Sequence, residues 1–238
     1  MDFSYSEEQQ MLQESVQKFV MQQYDFYKRD DIIKTEAGYS TENWNLFAEL
    51  GWLTVPFSEE DGGFGGNAVD LMVMMEEFGK GMLVEPYLSA AVMGGTLVAD
   101  LGNEEQKSGL IPQIMEGGLI TAVAYAEQGS RFNPLNVKTS AKAEGDDIVL
   151  SGAKINVLGA PNAQILIVSA RDSGSATDAE GISLYLVDRD TDGVDITAYP
   201  TIDGRQSSDL PQNTLRVPPC ALHRAAGGTR APPPALFD

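Results

Sequence analysis

The sequence is poor in the side chains that build most catalytic and metal sites. Its 238 residues include a single cysteine, Cys220, and a single histidine, His223. One chain therefore cannot form a disulfide, a Cys/His zinc site or a Cys–His catalytic pair. A Ser–His–Asp triad would have to use His223. We therefore expect any chemistry to depend on carboxylates, hydroxyls, backbone amides or a bound cofactor.

Basic residues and long apolar runs are also scarce. There are 16 Lys and Arg residues against 35 Asp and Glu residues, a formal net charge of -19. Such a field repels nucleic-acid phosphates and anionic membrane surfaces, so we expect no nucleic-acid partner. No apolar run is long enough to span a membrane. The opening MDFSYSEEQQ lacks the features of a signal peptide, and we expect a cytoplasmic protein.

Helical periodicity dominates the first half of the chain. Apolar residues recur at helical spacing over residues 7–29, with Ser6 as a plausible N-cap. Start and stop signals predict four further helices: residues 41–50, residues 68–80 capped by Asn67, residues 86–102, and a helix capped by Asn103 that runs toward Gly117. The sequence therefore predicts an N-terminal all-α helical domain over residues 1–118.

After Gly118 the pattern changes to short β-branched and aromatic runs. Strands are predicted at residues 119–126, 137–144, 148–152, 164–170, 182–188 and 194–199, with a hairpin turn at residues 145–147. The fold class is thus α+β, with an antiparallel β-barrel or sandwich over residues 119–210. Residues 211–238 carry six prolines and a reversed charge, and are predicted to be irregular, disordered or frame-shifted; a genuine proline-rich tail is the alternative.

A glycine-rich stretch, residues 62–66, raises the question of phosphate binding. A phosphate loop needs a preceding strand and usually a nearby lysine. No strong strand precedes these glycines, and no lysine follows before Lys80. The three acids at residues 59–61 would repel a phosphate. We therefore predict a tight turn between helices that needs positive φ angles.

Two stretches of the sequence resemble the acyl-CoA dehydrogenase family. LFAELGWLTVPFSEEDGGFGGNAVDLMVMMEEFGKG, residues 46–81, is similar to its N-terminal helical domain. AVAYAEQGSRFNPLNVKTSAKAEGDDIVLSGAKINV, residues 122–157, is similar to its middle β-domain, which carries a T-E-P-x-x-G-S-D motif followed by G-x-K. Glu127 takes the glutamate of the first motif, and Gly152 and Lys154 take the second.

The resemblance covers roughly residues 3–210. Two short tracts, EPYLSA at residues 85–90 and LGAP at residues 158–161, resemble the small subunits of pimeloyl-CoA dehydrogenase-like enzymes. Membership in the family implies FAD-dependent oxidation of an acyl-CoA thioester to the trans-2-enoyl-CoA. It also implies electron-transfer flavoprotein as the acceptor and a homo- or hetero-oligomer. In the family, the flavin lies between the β-domain and a C-terminal four-helix bundle.

The resemblance implies which residues face these ligands. The expected flavin contacts form two tracts, the first being Tyr125, Ala126 and Glu127 and the second Asn156, Val157 and Leu158. Three residues are expected near the flavin or the substrate thioester: Ser130, Arg131 and Phe132.

The sequence departs from the family pattern at several positions. Ala126 replaces the threonine that meets the flavin ring, Asn156 replaces an aromatic residue and Leu158 a threonine. The resemblance does not extend to the C-terminal four-helix bundle, which supplies the catalytic carboxylate in the family, and we expect that bundle to be missing. We therefore assign no catalytic residue and expect a truncated form that is inactive alone. A non-catalytic partner-binding or regulatory module on the same scaffold is the alternative, and the sequence does not choose between oxygen and a flavoprotein as acceptor.

Overall fold

A computed structural model describes residues 4–131, 133–219 and 221–223. The predictions for Phe132, Cys220 and residues 224–238 lie outside these ranges. The helical segments are α1 Glu7–Gln23, α2 Phe26–Ile33, α3 Thr41–Glu49, α4 Ala68–Gly81, a π-helix at Leu88–Gly95, α5 Thr96–Leu101 and α6 Glu104–Met115. Short 3-10 turns occur at Trp52–Thr54 and Ala160–Asn162.

Capping side chains define the helix starts as predicted. Ser6, Asn67 and Asn103 each form a capping box, in which the cap side chain and the third helical residue satisfy each other's backbone amides. These caps satisfy amides that a helix start otherwise leaves without partners. The predicted helices at α3, α4 and α6 are confirmed within one or two residues at their starts.

The predicted helix over residues 7–29 is instead two helices. Tyr24 ends α1, and Asp25 starts α2 by accepting a hydrogen bond from the Lys28 amide at 2.9 Å. The ring of Tyr24 is buried, and its hydroxyl accepts the Val84 amide at 3.2 Å. This contact with a distant segment, together with the Asp25 cap, overrides the continuous apolar stripe.

Aromatic side chains fill the core of the helical domain. Phe47 stacks on Phe78 at a ring separation of 5.4 Å, and Phe19 meets Phe47 edge to face at 5.3 Å. Trp52 packs beside both Phe19 and Phe78. Aromatic pairs at these distances add to the free energy gained by burying their surface. The cluster thereby joins α1, α3 and α4 into one unit.

The second domain is a mixed, mainly antiparallel sheet. Its strands are β1 Thr121–Ala124, β2 Ser140–Glu144, β3 Asp147–Leu158, β4 Ile165–Arg171, β5 Ile182–Asp188, β6 Thr197–Pro200, β7 Gln206–Val217 and β8 Ala221–His223. Their order is β6-β7-β3-β2-β4-β5-β8, with β1 paired to β4. The predicted helical domain followed by a β-domain is confirmed. The sheet differs from a regular antiparallel barrel, since β1 and β2 pair with β4 in parallel and the described strands do not close.

The prediction of an irregular segment from residue 211 is wrong for residues 211–217 and 221–223. These residues belong to β7, which pairs with β3, and to β8, which pairs with β5. Pro211 lies where the register between β3 and β7 shifts, so its missing amide costs no regular ladder bond. Val217, at the end of β7, is buried. Burial and strand pairing therefore outweigh the local proline signal.

The glycine-rich stretch is a turn, as predicted. Gly62 and Gly65 have φ angles of 85° and 72°. The amides of Gly63, Gly65 and Gly66 donate to nearby carbonyls: Ser58 at 2.8 Å, Phe57 at 2.7 Å and Val55 at 3.0 Å. Because these amides are already paired, they are not available to a phosphate.

Replacing Gly63 with alanine should destabilise this turn. An added Cβ would lie 2.5 Å from Phe57 Cβ, so the tightly packed backbone must shift. We expect Gly63→Ala to lower the free energy of unfolding by about 2 kcal/mol in urea titrations. The matched control is Gly109→Ala in α6, where a Cβ meets nothing within 4 Å and helix propensity should raise stability. Equal effects at both positions would contradict the close-packing explanation.

Candidate functional site

The structure brings the two expected flavin-contact tracts side by side. The first tract follows the end of β1, and the second forms the end of β3. Ile155, just before the second tract, donates its amide to the Ala126 carbonyl at 2.9 Å. Tyr125 and Asn156 are exposed, while Ala126 and Leu158 are half-buried. The tracts therefore form one continuous, partly exposed wall, although their role as cofactor contacts stays a prediction.

A buried ion pair links Glu127 of the first tract to Lys154, which lies on β3 two residues before the second tract. Lys154 Nζ lies 2.7 Å from Glu127 Oε1, and the two side chains are only 2% and 5% exposed. Lys154 also donates to Ser169 Oγ on β4 at 2.9 Å. The Glu127 carboxylate accepts the Lys138 amide at 2.7 Å, and the amide and hydroxyl of Thr139 at 3.0 and 2.6 Å. Every carboxylate oxygen of the pair thus has a partner inside the chain.

These contacts decide the charge state of the pair. Burial favours a neutral Glu127, but the charge and hydrogen bond of Lys154 and the hydrogen bonds from Thr139 outweigh it, so its pKa is lowered. Burial lowers the pKa of Lys154 to about 8, with Glu127 opposing that shift. Glu127 is therefore held as a carboxylate, which suits a structural anchor better than a base that must accept a proton.

The second tract contains a left-handed residue, Asn156, with φ of 52°. Its amide donates to Asp209 Oδ1 at 2.9 Å, and its side-chain oxygen accepts Ser207 Oγ at 3.0 Å. Tyr199 donates to the same Asp209 oxygen at 2.9 Å. The β3–β7 register shifts on either side of Lys154. Asparagine tolerates this backbone region better than most residues, which is the one sequence signal that could have indicated the bulge.

The residues expected near the substrate differ in how exposed their side chains are. Ser130 is buried, and its hydroxyl donates to the Glu127 carbonyl at 2.8 Å and accepts the Glu127 amide at 3.2 Å. That hydroxyl therefore closes a turn. Arg131 is exposed and has a left-handed backbone, with φ of 53°. Phe132 lies outside the described residues.

A small crevice between the two domains contains a carboxylate that sequence reasoning missed. Its walls include Gly38, Glu85, Ser89, Leu158, Asn162 and Arg205. The crevice is partly open to solvent, and its volume is about 20 Å³, room for about one water molecule. Glu85 is 6% exposed; its Oε1 accepts Asn43 Nδ2 at 2.8 Å, but its Oε2 makes no hydrogen bond within the described residues. Burial raises the pKa of Glu85.

Two other kinds of site are not found in the part of the chain that the structure describes. No group of three or more His, Cys, Asp or Glu side chains there is arranged to hold a metal ion. Within the same residues, no helix combines the length and apolarity that crossing a membrane requires.

Comparison with known proteins gives consistent matches along the chain. Residues 6–118 match the family model "Acyl-CoA dehydrogenase, N-terminal domain", and residues 122–215 match "Acyl-CoA dehydrogenase, middle domain". Acyl-CoA dehydrogenase FadE12 of Mycobacterium tuberculosis is 30% identical over 198 residues, 82% of this chain and 50% of the relative. The chain thus spans about half the length of that curated relative.

Solved structures show the same fold. A glutaryl-coenzyme A dehydrogenase in complex with glutaryl-CoA superposes with a TM-score of 0.83 at 22% identity, covering 96% of this chain and 59% of the other. An FAD complex of PigA superposes with a TM-score of 0.82 at 25% identity, covering 96% and 61%.

Removing one partner of the buried pair should lower the stability of the fold. Lys154→Met leaves the Glu127 carboxylate buried without its counter-charge, and we expect the free energy of unfolding to fall by about 3 to 5 kcal/mol. Adding Glu127→Leu to the Lys154→Met variant should recover much of that loss. The control is Arg216→Met in the exposed Glu144–Arg216 pair, 2.8 Å apart, which should change stability little. Urea titrations in which Lys154→Met and Arg216→Met behave alike would contradict this interpretation.

The stability contribution of Glu85 should depend on pH. Its folded-state pKa lies above the ordinary 4.5 of the unfolded chain. The contribution is therefore complete below that value and is lost as pH rises through the folded-state pKa. We expect Glu85→Gln to be more stable than the unsubstituted chain at neutral pH, with a smaller difference in mild acid.

Urea titrations at several pH values measure this dependence. Glu60→Gln, at an exposed carboxylate of the glycine turn, serves as the control and should follow the unsubstituted chain. A constant difference between Glu85→Gln and the unsubstituted chain at all pH values would show that Glu85 keeps one charge state throughout.

Proposed function

The chain belongs to the acyl-CoA dehydrogenase family, and from this membership we propose that it supplies one wall of an FAD site for the oxidation of an acyl-CoA to the trans-2-enoyl-CoA. The observation that carries the proposal is the joining of the two tracts through the Ile155–Ala126 hydrogen bond. They lie at the ends of β1 and β3, and their partly exposed backbone would face the flavin ring.

The residues of this wall fit a flavin through backbone and charge. Ala126 and Leu158 carry no hydroxyl, so main-chain groups would have to form the hydrogen bonds to the carbonyl oxygens of the flavin ring. Arg131 is exposed and close in sequence to the first tract, so its positive charge would stabilise an anionic flavin bound there. Asn156 cannot serve as a stacking platform, and Ser207 holds its side chain against β7. When bound, FAD accepts the hydride that leaves the β-carbon of the acyl group.

Proton removal from the α-carbon needs a carboxylate within about 3 Å of that carbon. Glu127 is the only acid in the two tracts, and its oxygens are occupied by Lys154, Thr139 and the Lys138 amide. We therefore propose that Glu127 positions the first tract and that the base is not a residue of either tract. Electron-transfer flavoprotein as acceptor, an oligomeric assembly and a cytoplasmic location stay predictions.

Nuclear magnetic resonance can test the flavin wall without catalysis. We expect added FAD to shift the backbone amide signals of both tracts, and of Arg131, with weak affinity. The amides of residues 62–66 serve as an internal control, since the glycine turn already uses its amides and should not respond. Shifts confined to the glycine turn, or no shifts in either tract at saturating FAD, would remove the basis of the proposal.

The 238-residue chain alone should be a poor enzyme. We expect the purified protein to show little absorbance near 450 nm and no reduction of a dye by acyl-CoA, because neither tract offers a free base. A colourless protein that captures a partner would favour the non-catalytic alternative. A yellow protein that turns over acyl-CoA would show that the base lies within these 238 residues.

A further inference from the structure

A buried arginine at the end of β4, Arg171, is surrounded by main-chain carbonyl oxygens. The residue is 7% exposed, and the ion pairs within the described residues do not include it. Its guanidinium donates to the carbonyls of Leu135 (3.1 Å), Val137 (3.0 Å), Ser173 (3.3 Å), Ala176 (3.3 Å), Asp178 (3.0 Å) and Glu180 (2.8 Å). Buried charges are usually paired with an opposite charge, so this arrangement indicates that Arg171 organises the main chain around it.

The number and direction of its donors explain why this residue is an arginine. A guanidinium has five N–H groups that spread in one plane. Nε meets one of the carbonyls and Nη1 meets two. Nη2 meets three, so one of its two hydrogens is shared between acceptors. All the N–H groups are therefore used within the chain, and a lysine, with three donors on a single atom, could not reach the same acceptors.

The carbonyls belong to two loops that are separate in sequence. The first loop, residues 133–139, leads into β2, and the second loop, residues 172–181, joins β4 to β5. The Val137 amide donates to the Ala176 carbonyl at 2.9 Å, which is a direct bond between the loops. Without the guanidinium, the same arrangement would bring several carbonyl dipoles together with no cation between them. One side chain therefore holds both loops in place.

Two turns connect the first loop to the residues expected near the substrate. The Asn133 amide donates to the Ser130 carbonyl at 3.0 Å, and the Asn136 amide donates to the Asn133 carbonyl at 3.2 Å. Arg131, which is exposed, lies inside the first of these turns. The carbonyls that Arg171 holds come directly after or within these turns. The position of the Arg131 backbone therefore depends on where Arg171 holds the first loop.

We propose that Arg171 is a positioning residue for the flavin wall: by fixing the first loop, it sets where the positive charge of Arg131 lies beside the first tract. Arg171 is not itself a ligand contact, because its N–H groups are used within the chain. An ordered loop lets Arg131 meet an anionic ligand without the entropy loss of ordering that loop on binding. The proposal rests on the proposed function for the identity of the ligand, and it adds the residue that orders the chain beside it.

Nuclear magnetic resonance of the free chain tests the positioning step without a ligand. In Arg171→Ala, we expect the amide signals of Arg131 and of both loops to shift or broaden. Millimolar methylguanidinium should restore them by filling the vacated space, whereas methylammonium, which lacks the planar set of donors, should not. If Arg171→Ala does not fold, Arg171→Lys provides the test, since it keeps the charge and most of the volume and should still alter the same signals.

The matched control is a second buried arginine, Arg29 in α2. It donates to the Met82 carbonyl at 2.7 Å and to the Asp203 carbonyl, so it is also bound by main-chain oxygens. Arg29→Ala should lower stability but leave the Arg131 signal unchanged. An Arg131 signal that is the same in the Arg171 variants as in the unsubstituted chain, or that changes equally in Arg29→Ala, overturns the proposal.

FAD titrations separate positioning from a general loss of structure. In Arg171→Lys, we expect the FAD-induced shift of Arg131 to be lost and the affinity to fall about fivefold, while residues 156–158 still respond. Arg131→Met should weaken FAD binding in the unsubstituted chain but add no further loss in Arg171→Lys. Additive losses overturn the proposal. If FAD shifts neither tract of the unsubstituted chain, the proposed function fails, and the signals of the free chain still decide whether Arg171 positions Arg131.

Discussion

The ion pair between Glu127 and Lys154 is the contact on which the geometry of the site depends. Each buried charge costs several kcal/mol of desolvation, so apolar side chains of similar size would give comparable stability. What the pair adds is a defined position of the chain segments relative to one another. Glu127 meets Thr139 and the Lys138 amide only if the first tract lies against the start of β2, and Lys154 meets Ser169 only if β3 lies beside β4. The pair therefore fixes the register of four chain segments at once.

Close backbone contact between the domains supplies the second constraint. Thr121 on β1 donates to the Ala90 carbonyl of the π-helix at 3.0 Å, and a Cβ on Gly94 would lie 2.8 Å from Thr121 Cβ. The π-helix thus lies directly against the first strand of the sheet, as Gly159 lies against Ser89. Because small residues set these distances, any larger side chain at Gly94 or Gly159 would push the helical domain away from the sheet.

Local chemistry explains which features the sequence could predict. Asn67 and Asn103 indicate helix starts because their capping partners lie three residues away. The positions of the two tracts were predicted from the family motifs around Glu127 and Lys154. The break at Tyr24 is harder to predict, because one of its two causes, the contact with the Val84 amide, lies 60 residues away, and the local Asp25 cap falls within a continuous apolar stripe. The same holds for the left-handed Asn156, whose amide is held by Asp209 on β7, and for Glu85, whose burial depends on elements from both domains. β8 was missed because the proline signal beside it is local and its pairing is not.

The two buried carboxylates described above, Glu127 and Glu85, differ in how the chain satisfies them. Glu127 is satisfied within the chain, so ligand binding need not change its surroundings. Glu85 Oε1 accepts a hydrogen bond from Asn43, but its Oε2 makes none within the described residues, so burial dominates and raises the pKa of Glu85. The same residue type thus holds a fixed charge in one place and favours its protonated form in the other, and the difference comes from the hydrogen-bond partners that the fold supplies.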